Sequence, residues 1–310
     1  MVDFHHMFSA YGLGATLYVP IIHHKVPDIL TGRTNSPASS VVLCLEDALA
    51  ESDVERAVGT LRELLPLINQ SSGLRVFVRP RSLSMGHRLA SFKNIDRIEG
   101  FVAPKVRPDT AADWMQLASS AGLCIMPTLE SADYFDPGCI VAFRDVLRDY
   151  DHRLVSAIRL GGNDFLGALG LRRERGMTSW EGPLGGVLSM CSSMLISAGY
   201  PVAAPVFDII DDPDTLRREV QRDVAAGFVS KTVIHPCQVP IIVEGMKVSE
   251  QELQQAKAII EKGALAVFQI GGAMCEPATH SNWGHRVLAR ERIFGCKSAS
   301  APSMPMRVVV

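Results

Sequence analysis

The 310-residue sequence has no cysteine framework. Its seven cysteines (Cys44, Cys124, Cys139, Cys191, Cys237, Cys275 and Cys296) form no CxxC pair and lie scattered through apolar runs. An odd, unpatterned set implies reduced, mostly buried thiols rather than disulfides. An excess of either charge is also missing. A formal net charge of −2 argues against a dedicated nucleic-acid surface. No basic segment followed by an apolar core opens the chain, so no secretory leader is expected and the expected location is the cytoplasm. Residues 182–207 are long and uncharged, but Pro183, Gly199, Pro201 and Pro205 interrupt them. A buried helix followed by a turn and a buried strand is expected there, not a membrane span. Glycine-rich phosphate fingerprints, internal repeats and low-complexity segments are all absent. Missing the first of these counts against a dinucleotide-binding fold.

What is present is apolar and evenly punctuated. Hydrophobic residues make up 47% of the chain and charged residues 21%, enough for a large core. Short apolar runs of strand length recur at 15–20, 41–45, 74–78, 98–103, 123–126, 155–160, 202–207 and 228–234. Helical patterns separate most of them, such as 53–67, where Val54, Val58, Leu61 and Leu65 share a face. Asp109 and Asp211 or Asp212 are expected caps, the latter pair just before Pro213. About eight strands alternating with helices point to a parallel (β/α)8 TIM barrel, with an open doubly wound sheet as the alternative. The barrel is assigned to residues 1–245. Residues 246–296 are read as a C-terminal helical extension, a lid or an oligomer contact, and 297–310 as a flexible tail.

Polar groups gather where the apolar runs end: Glu46-Asp47, Arg79, Lys105, Glu130 and Asp164. Carboxyl ends of barrel strands face the mouth where ligands bind. Two acids converging there, Glu130 and Asp164, repel unless a cation or a proton lies between them. Mg²⁺ is the simplest occupant, because it takes one or two protein carboxylates and keeps room for substrate oxygens. Arg79 is a candidate carboxylate clamp, or an ion-pair partner of Glu46 or Asp47. Lys105 reads as a charge-balancing group in preference to a Schiff-base nucleophile. His235 reads as a rim-bonding residue in preference to a general base.

With those residues in place, the chain resembles the citrate lyase β-subunit-like family of the HpcH/HpaI aldolase and malyl-CoA lyase superfamily. The resemblance rests on LCLEDAL (43–49), FVRPRS (77–82), FVAPKV (101–106), MPTLES (126–131), IRLGGNDFLGALGL (158–171) and GFVSKTVIHPCQV (227–239). It implies a Mg²⁺- or Mn²⁺-dependent carbon–carbon lyase or aldolase acting through a metal-stabilised enolate. The substrate implied is a small oxo- or hydroxy-carboxylic acid, free or as a coenzyme A thioester. Carried over, Glu130 and Asp164 hold the metal, Arg79 binds the substrate carboxylate, and Glu46 and Asp47 stand near the metal's waters. Lys105, Gly162 and Asn163 join Arg79 in substrate binding. A trimer or hexamer is implied, with no nucleic-acid or membrane partner. Two positions depart from the pattern: Ser230 replaces a glycine, and Glu276 replaces the aspartate of a Gly-x-Met-x-Asp lid motif. Glu276 is accordingly assigned to proton transfer. The segment after it resembles a divergent branch found beside tellurite-resistance-type genes. Thioester hydrolysis or condensation on the same site, and a binding barrel without turnover, stand as alternatives.

Overall fold

The computed structural model describes residues 4–47 and 49–297. They divide into two compact units, Leu13–Ile242 and residues 4–12 with 243–297. The larger unit is a closed barrel of eight parallel strands in chain order: β1 (Ala15–Pro20), β2 (Ser40–Cys44), β3 (Arg75–Arg79), β4 (Gly100–Ala103), β5 (Cys124–Leu129), β6 (Ile158–Leu160), β7 (Val202–Ala204) and β8 (Ser230–Val233). Pairing of β8 with β1, Thr232 beside Thr16, closes the ring. Most of the strands are rich in apolar residues because both faces are covered, one by helices and one by the barrel interior. Val41, Leu43, Val76, Val78, Ile125, Ile158 and Val202 pack outward into one core with the surrounding helices.

Several boundaries differ from the sequence reading, each for a local reason. β5 runs through Pro127 to Leu129, three residues further than expected. β7 stops at Ala204, where Pro205 follows. The helix expected from Asp109 starts at Pro108, after Arg107, since proline suits a first helical turn. Short helices at Val26–Thr31, within a Pro/Gly/Ser-rich stretch that reads as a loop, and at Leu83–Ala90 add to the expected elements. The serine of the second, Ser82, caps it by accepting from Met85 N. The uncharged stretch forms a helix over Pro183–Ile196. No helix among the described residues is long and apolar enough to cross a membrane.

The barrel interior is unusually polar at its base. Ser40 donates to Leu13 O at 2.7 Å and to Thr16 Oγ1 at 3.0 Å. The Ser230 hydroxyl lies 3.0 Å from the same Thr16 oxygen. Ser230, where the resemblance implies glycine, thus joins a hydroxyl layer shared by β1, β2 and β8.

The smaller unit holds helices Phe4–Tyr11, Glu250–Ile260 and Pro277–Phe294 and an antiparallel ribbon, Phe268–Ile270 with Ala273–Cys275. Gly271 and Gly272 turn the ribbon at φ of 60° and 81°, left-handed values that glycine adopts without strain. Ser249 and Glu252 form a reciprocal capping box. Ile259, Phe268, Ile270 and Cys275 make a small core. The tail assigned to 297–310 lies outside the described residues beyond Lys297.

Candidate active site

A cavity of about 350 Å³ opens at the carboxyl ends of the barrel strands. Glu46, Asp47, Arg79, Glu130, Gly162, Asn163 and Asp164 all line it, together with residues the sequence reading passed over: Tyr18, Thr128, Arg159 and Thr232. Strand ends deliver these groups because each strand's last residue turns toward the mouth as the chain leaves for a helix.

Arg79, the last residue of β3, is buried, and its Nε and Nη2 are held by acids. Its Nε donates to Glu46 Oε2 at 2.9 Å. Its Nη2 is 2.7 Å from the same oxygen and 3.0 Å from Glu130 Oε1. Asp47 is more distant, at 3.8 Å. Lys105 adds a second cation: its Nζ lies 3.0 Å from Glu46 Oε1 and 3.4 Å from Asp47 Oδ1. The Lys105 backbone N donates to Glu130 Oε1 at 2.7 Å. Lys105 holds a φ of 48°, a left-handed value uncommon outside glycine that persists where surrounding contacts impose it. The lysine is exposed and salt-bridged, the environment of a charge-balancing group and not of a desolvated nucleophile.

Glu130 and Asp164 come together over Gly161. A Cβ on Gly161 would sit 2.3 Å from Glu130 Cβ, 2.7 Å from Glu130 Oε2 and 3.4 Å from Asp164 Oδ2. Since φ at Gly161 is −88°, space and not backbone conformation demands glycine. Burial lifts the Glu130 carboxyl to about 7; Arg79 opposes the shift and repulsion from Asp164 adds to it. Asp164 is raised as well, chiefly by burial. Glu46 goes the other way: burial pushes it up, but Arg79 and hydrogen bonds from Asp47 and Lys105 outweigh that and hold it low. Asp47 is raised by burial and by its neighbour Glu46. Low Glu46 and high Glu130 give the pair different protonation at neutral pH.

This donor set suits a hard divalent cation. Glu130 and Asp164 would offer it carboxylate oxygens, and their shared destabilisation as anions is what a cation relieves. No group of three or more His, Cys, Asp or Glu side chains able to hold a metal occurs among the described residues. A two-carboxylate site completed by waters is the arrangement Mg²⁺ tolerates.

Glu276 belongs to the smaller unit. It precedes the helix Pro277–Phe294; its backbone N donates to His280 Nδ1 at 3.1 Å and its Oε2 accepts from Thr279 at 3.1 Å. His235 is exposed and caps a turn by accepting from Cys237 N. Arg159 carries a sequence signal that went unused: a lone charge inside the apolar run 155–160.

Comparison with known proteins places these features in a lineage. A family model described as C-C_Bond_Lyase of the TIM-Barrel fold matches residues 7–296. A citrate lyase subunit beta-like protein of Deinococcus radiodurans is 25% identical over 256 residues, covering 79% of this chain and 85% of that protein. A (3S)-malyl-CoA thioesterase of Cereibacter sphaeroides is 23% identical over 302 residues, covering 94% and 98%. Among solved structures, CitE of Mycobacterium tuberculosis in complex with magnesium, acetoacetate and coenzyme A superposes with a TM-score of 0.66 at 20% identity, covering 90% and 98%.

Proposed function

Because the chain belongs to the C-C bond lyase family of the TIM-barrel fold, we propose that it is a Mg²⁺-dependent (or Mn²⁺-dependent) lyase that makes or breaks a carbon–carbon bond in a small oxo- or hydroxy-carboxylic acid. The observation that carries the reading is the crowding of buried Glu130 and half-buried Asp164 against Gly161, with both carboxyls raised. Glu130 and Asp164 would hold the ion. Bound there, it supplies Lewis-acid stabilisation of negative charge growing on a carbonyl oxygen. Arg79 fixes Glu130 and Glu46 in place through its Nε and Nη2 and, as the family resemblance implies, helps to bind the substrate carboxylate. Glu46 and Asp47 orient water at the mouth, while Lys105, Gly162 and Asn163 face the substrate. The solved CitE, with magnesium and acetoacetate, supports the metal and the acid class.

Likeness to a (3S)-malyl-CoA thioesterase over nearly the whole chain favours a second outcome on the same site, hydrolysis of an acyl-CoA thioester. Product analysis separates the two: cleavage yields a second carbon fragment, and hydrolysis yields only free acid and thiol. A barrel without turnover would bind the acid and release it unchanged.

The test is thermal stabilisation by Mg²⁺ with oxaloacetate, pyruvate, glyoxylate, acetyl-CoA or free CoA. A ligand at about 100 times its Kd stabilises by about 2.7 kcal/mol. A Mg²⁺-dependent rise with a keto acid, lost in Glu130→Gln, is expected. A rise indifferent to Mg²⁺, or kept in Glu130→Gln, sinks the metal assignment.

A further inference from the structure

The two cavity arginines differ in one respect. Arg79 is surrounded by carboxylates, whereas Arg159 makes no ion pair among the described residues. Arg159 is 1% exposed and has the largest fully buried side chain of the barrel unit. Its Nη2 donates to Thr232 Oγ1 at 2.7 Å. Its Nη1 has only long contacts, 3.5 Å to Thr16 Oγ1 and 3.4 Å to Met126 Sδ. Its Nε has no partner at all. The Tyr18 ring lies 5.3 Å from the guanidinium carbon and covers one face, leaving the edge as the unsatisfied part. Thr128, its register partner on β5, is 3% exposed and its hydroxyl is likewise unpartnered. Both residues line the cavity. A buried cation without a counter-charge is costly, and a fork with a free N–H beside a free hydroxyl matches a carboxylate.

We propose that Arg159, with the Thr128 and Thr232 hydroxyls, anchors a second carboxylate of the ligand. The cavity then takes a small dicarboxylate, one acid group toward Glu130 and Asp164 and the other on Arg159. The inference rests on the metal-site reading for the first group only. Arg159 then adds selectivity for a second acid group, beside an Arg79 whose Nε and Nη2 hold Glu46 and Glu130.

The test compares wild type with Arg159→Met, titrating malonate, succinate and oxaloacetate against acetate and pyruvate, in EDTA and in Mg²⁺. Arg159→Met should melt no lower than wild type without ligand, because an uncompensated buried charge has gone. Its dicarboxylate Kd should weaken about ten- to a hundredfold, the effect of losing hydrogen bonds to a charged group, while monocarboxylate Kd changes less than about twofold. Should Arg159→Met fail to fold, Arg159→Lys, which keeps the charge and loses the fork, should weaken dicarboxylates about tenfold. Equal losses for both acid classes, unchanged dicarboxylate binding, or no response of wild type to any acid overturns the proposal. Arg159-dependent selectivity that is the same in EDTA and Mg²⁺ upholds it while removing the metal reading. Mg²⁺-dependent binding indifferent to Arg159 does the reverse.

Discussion

A single carboxyl sets the pH behaviour expected of the site. Glu130 lies near 7 against an ordinary 4.5, because burial outweighs the pull of Arg79 and Asp164 adds repulsion. An acid raised on folding holds its proton more tightly in the native state, so its stabilisation is complete below about 4.5 and is lost as pH climbs through about 7. Metal-free protein should therefore lose stability between pH 5 and 8, on the order of 3 kcal/mol from this group. Mg²⁺ must displace that proton, so its affinity should fall about tenfold per pH unit below 7. Urea unfolding and Mg²⁺ titration at pH 5, 6, 7 and 8 check both slopes. A metal-free stability that rises over this range contradicts the assignment. The same residue explains why Gly161 has no substitute: any Cβ would occupy the space that its carboxylate and Asp164 share.

At the level of elements, the barrel's last turn depends on charge buried outside the cavity. Lys231 of β8 is fully buried, its Nζ 2.7 Å from Glu219 and 2.7 Å from Asp223, both on the helix Pro213–Ala225. Arg173 reaches Glu219 at 2.8 Å and Asp208 at 2.7 Å, and Trp180 Nε1 donates to Asp223. Burial raises Asp223 to about 6, with Lys231 opposing and Glu219 adding. Removing the lysine takes from buried Asp223 its paired cation and leaves Glu219 to Arg173. Lys231→Met should cost about 3–5 kcal/mol in urea unfolding while leaving the cavity's lining residues untouched. A loss below about 1 kcal/mol would mean that Arg173 alone balances the cluster. The network clamps the helix to the strand that closes the ring, the one pairing that joins the two ends of the barrel.

Over the whole molecule, two compact units with separate cores predict two cooperative unfolding steps. Calorimetry should resolve them, and Mg²⁺ with a dicarboxylate should move only the barrel's step, since every residue lining the cavity falls within Leu13–Ile242. One transition displaced as a whole would show that the units unfold together. The N-terminal helix Phe4–Tyr11 belongs to the same compact unit as the C-terminal helices and packs against Pro277–Phe294. A linear division of the chain cannot express such a grouping.

By itself, the sequence determined the barrel and most of its rim. Eight apolar runs at strand length, separated by helical patterns, leave few alternatives once both faces of each strand must be buried. Acids and bases at the ends of those runs could be named because a strand's last residue has a known destination. Helices at Val26–Thr31 and Leu83–Ala90 were illegible, being too short for a period to emerge from six and eight residues. Tertiary structure alone decided the partners. Arg79 and Arg159 are alike in sequence, each an arginine in an otherwise largely apolar strand. Only the closing of the ring puts Glu46 and Glu130 around the first and leaves the second facing hydroxyls. Charge compensation is a property of distances across the barrel, and residues far apart in the chain supply it.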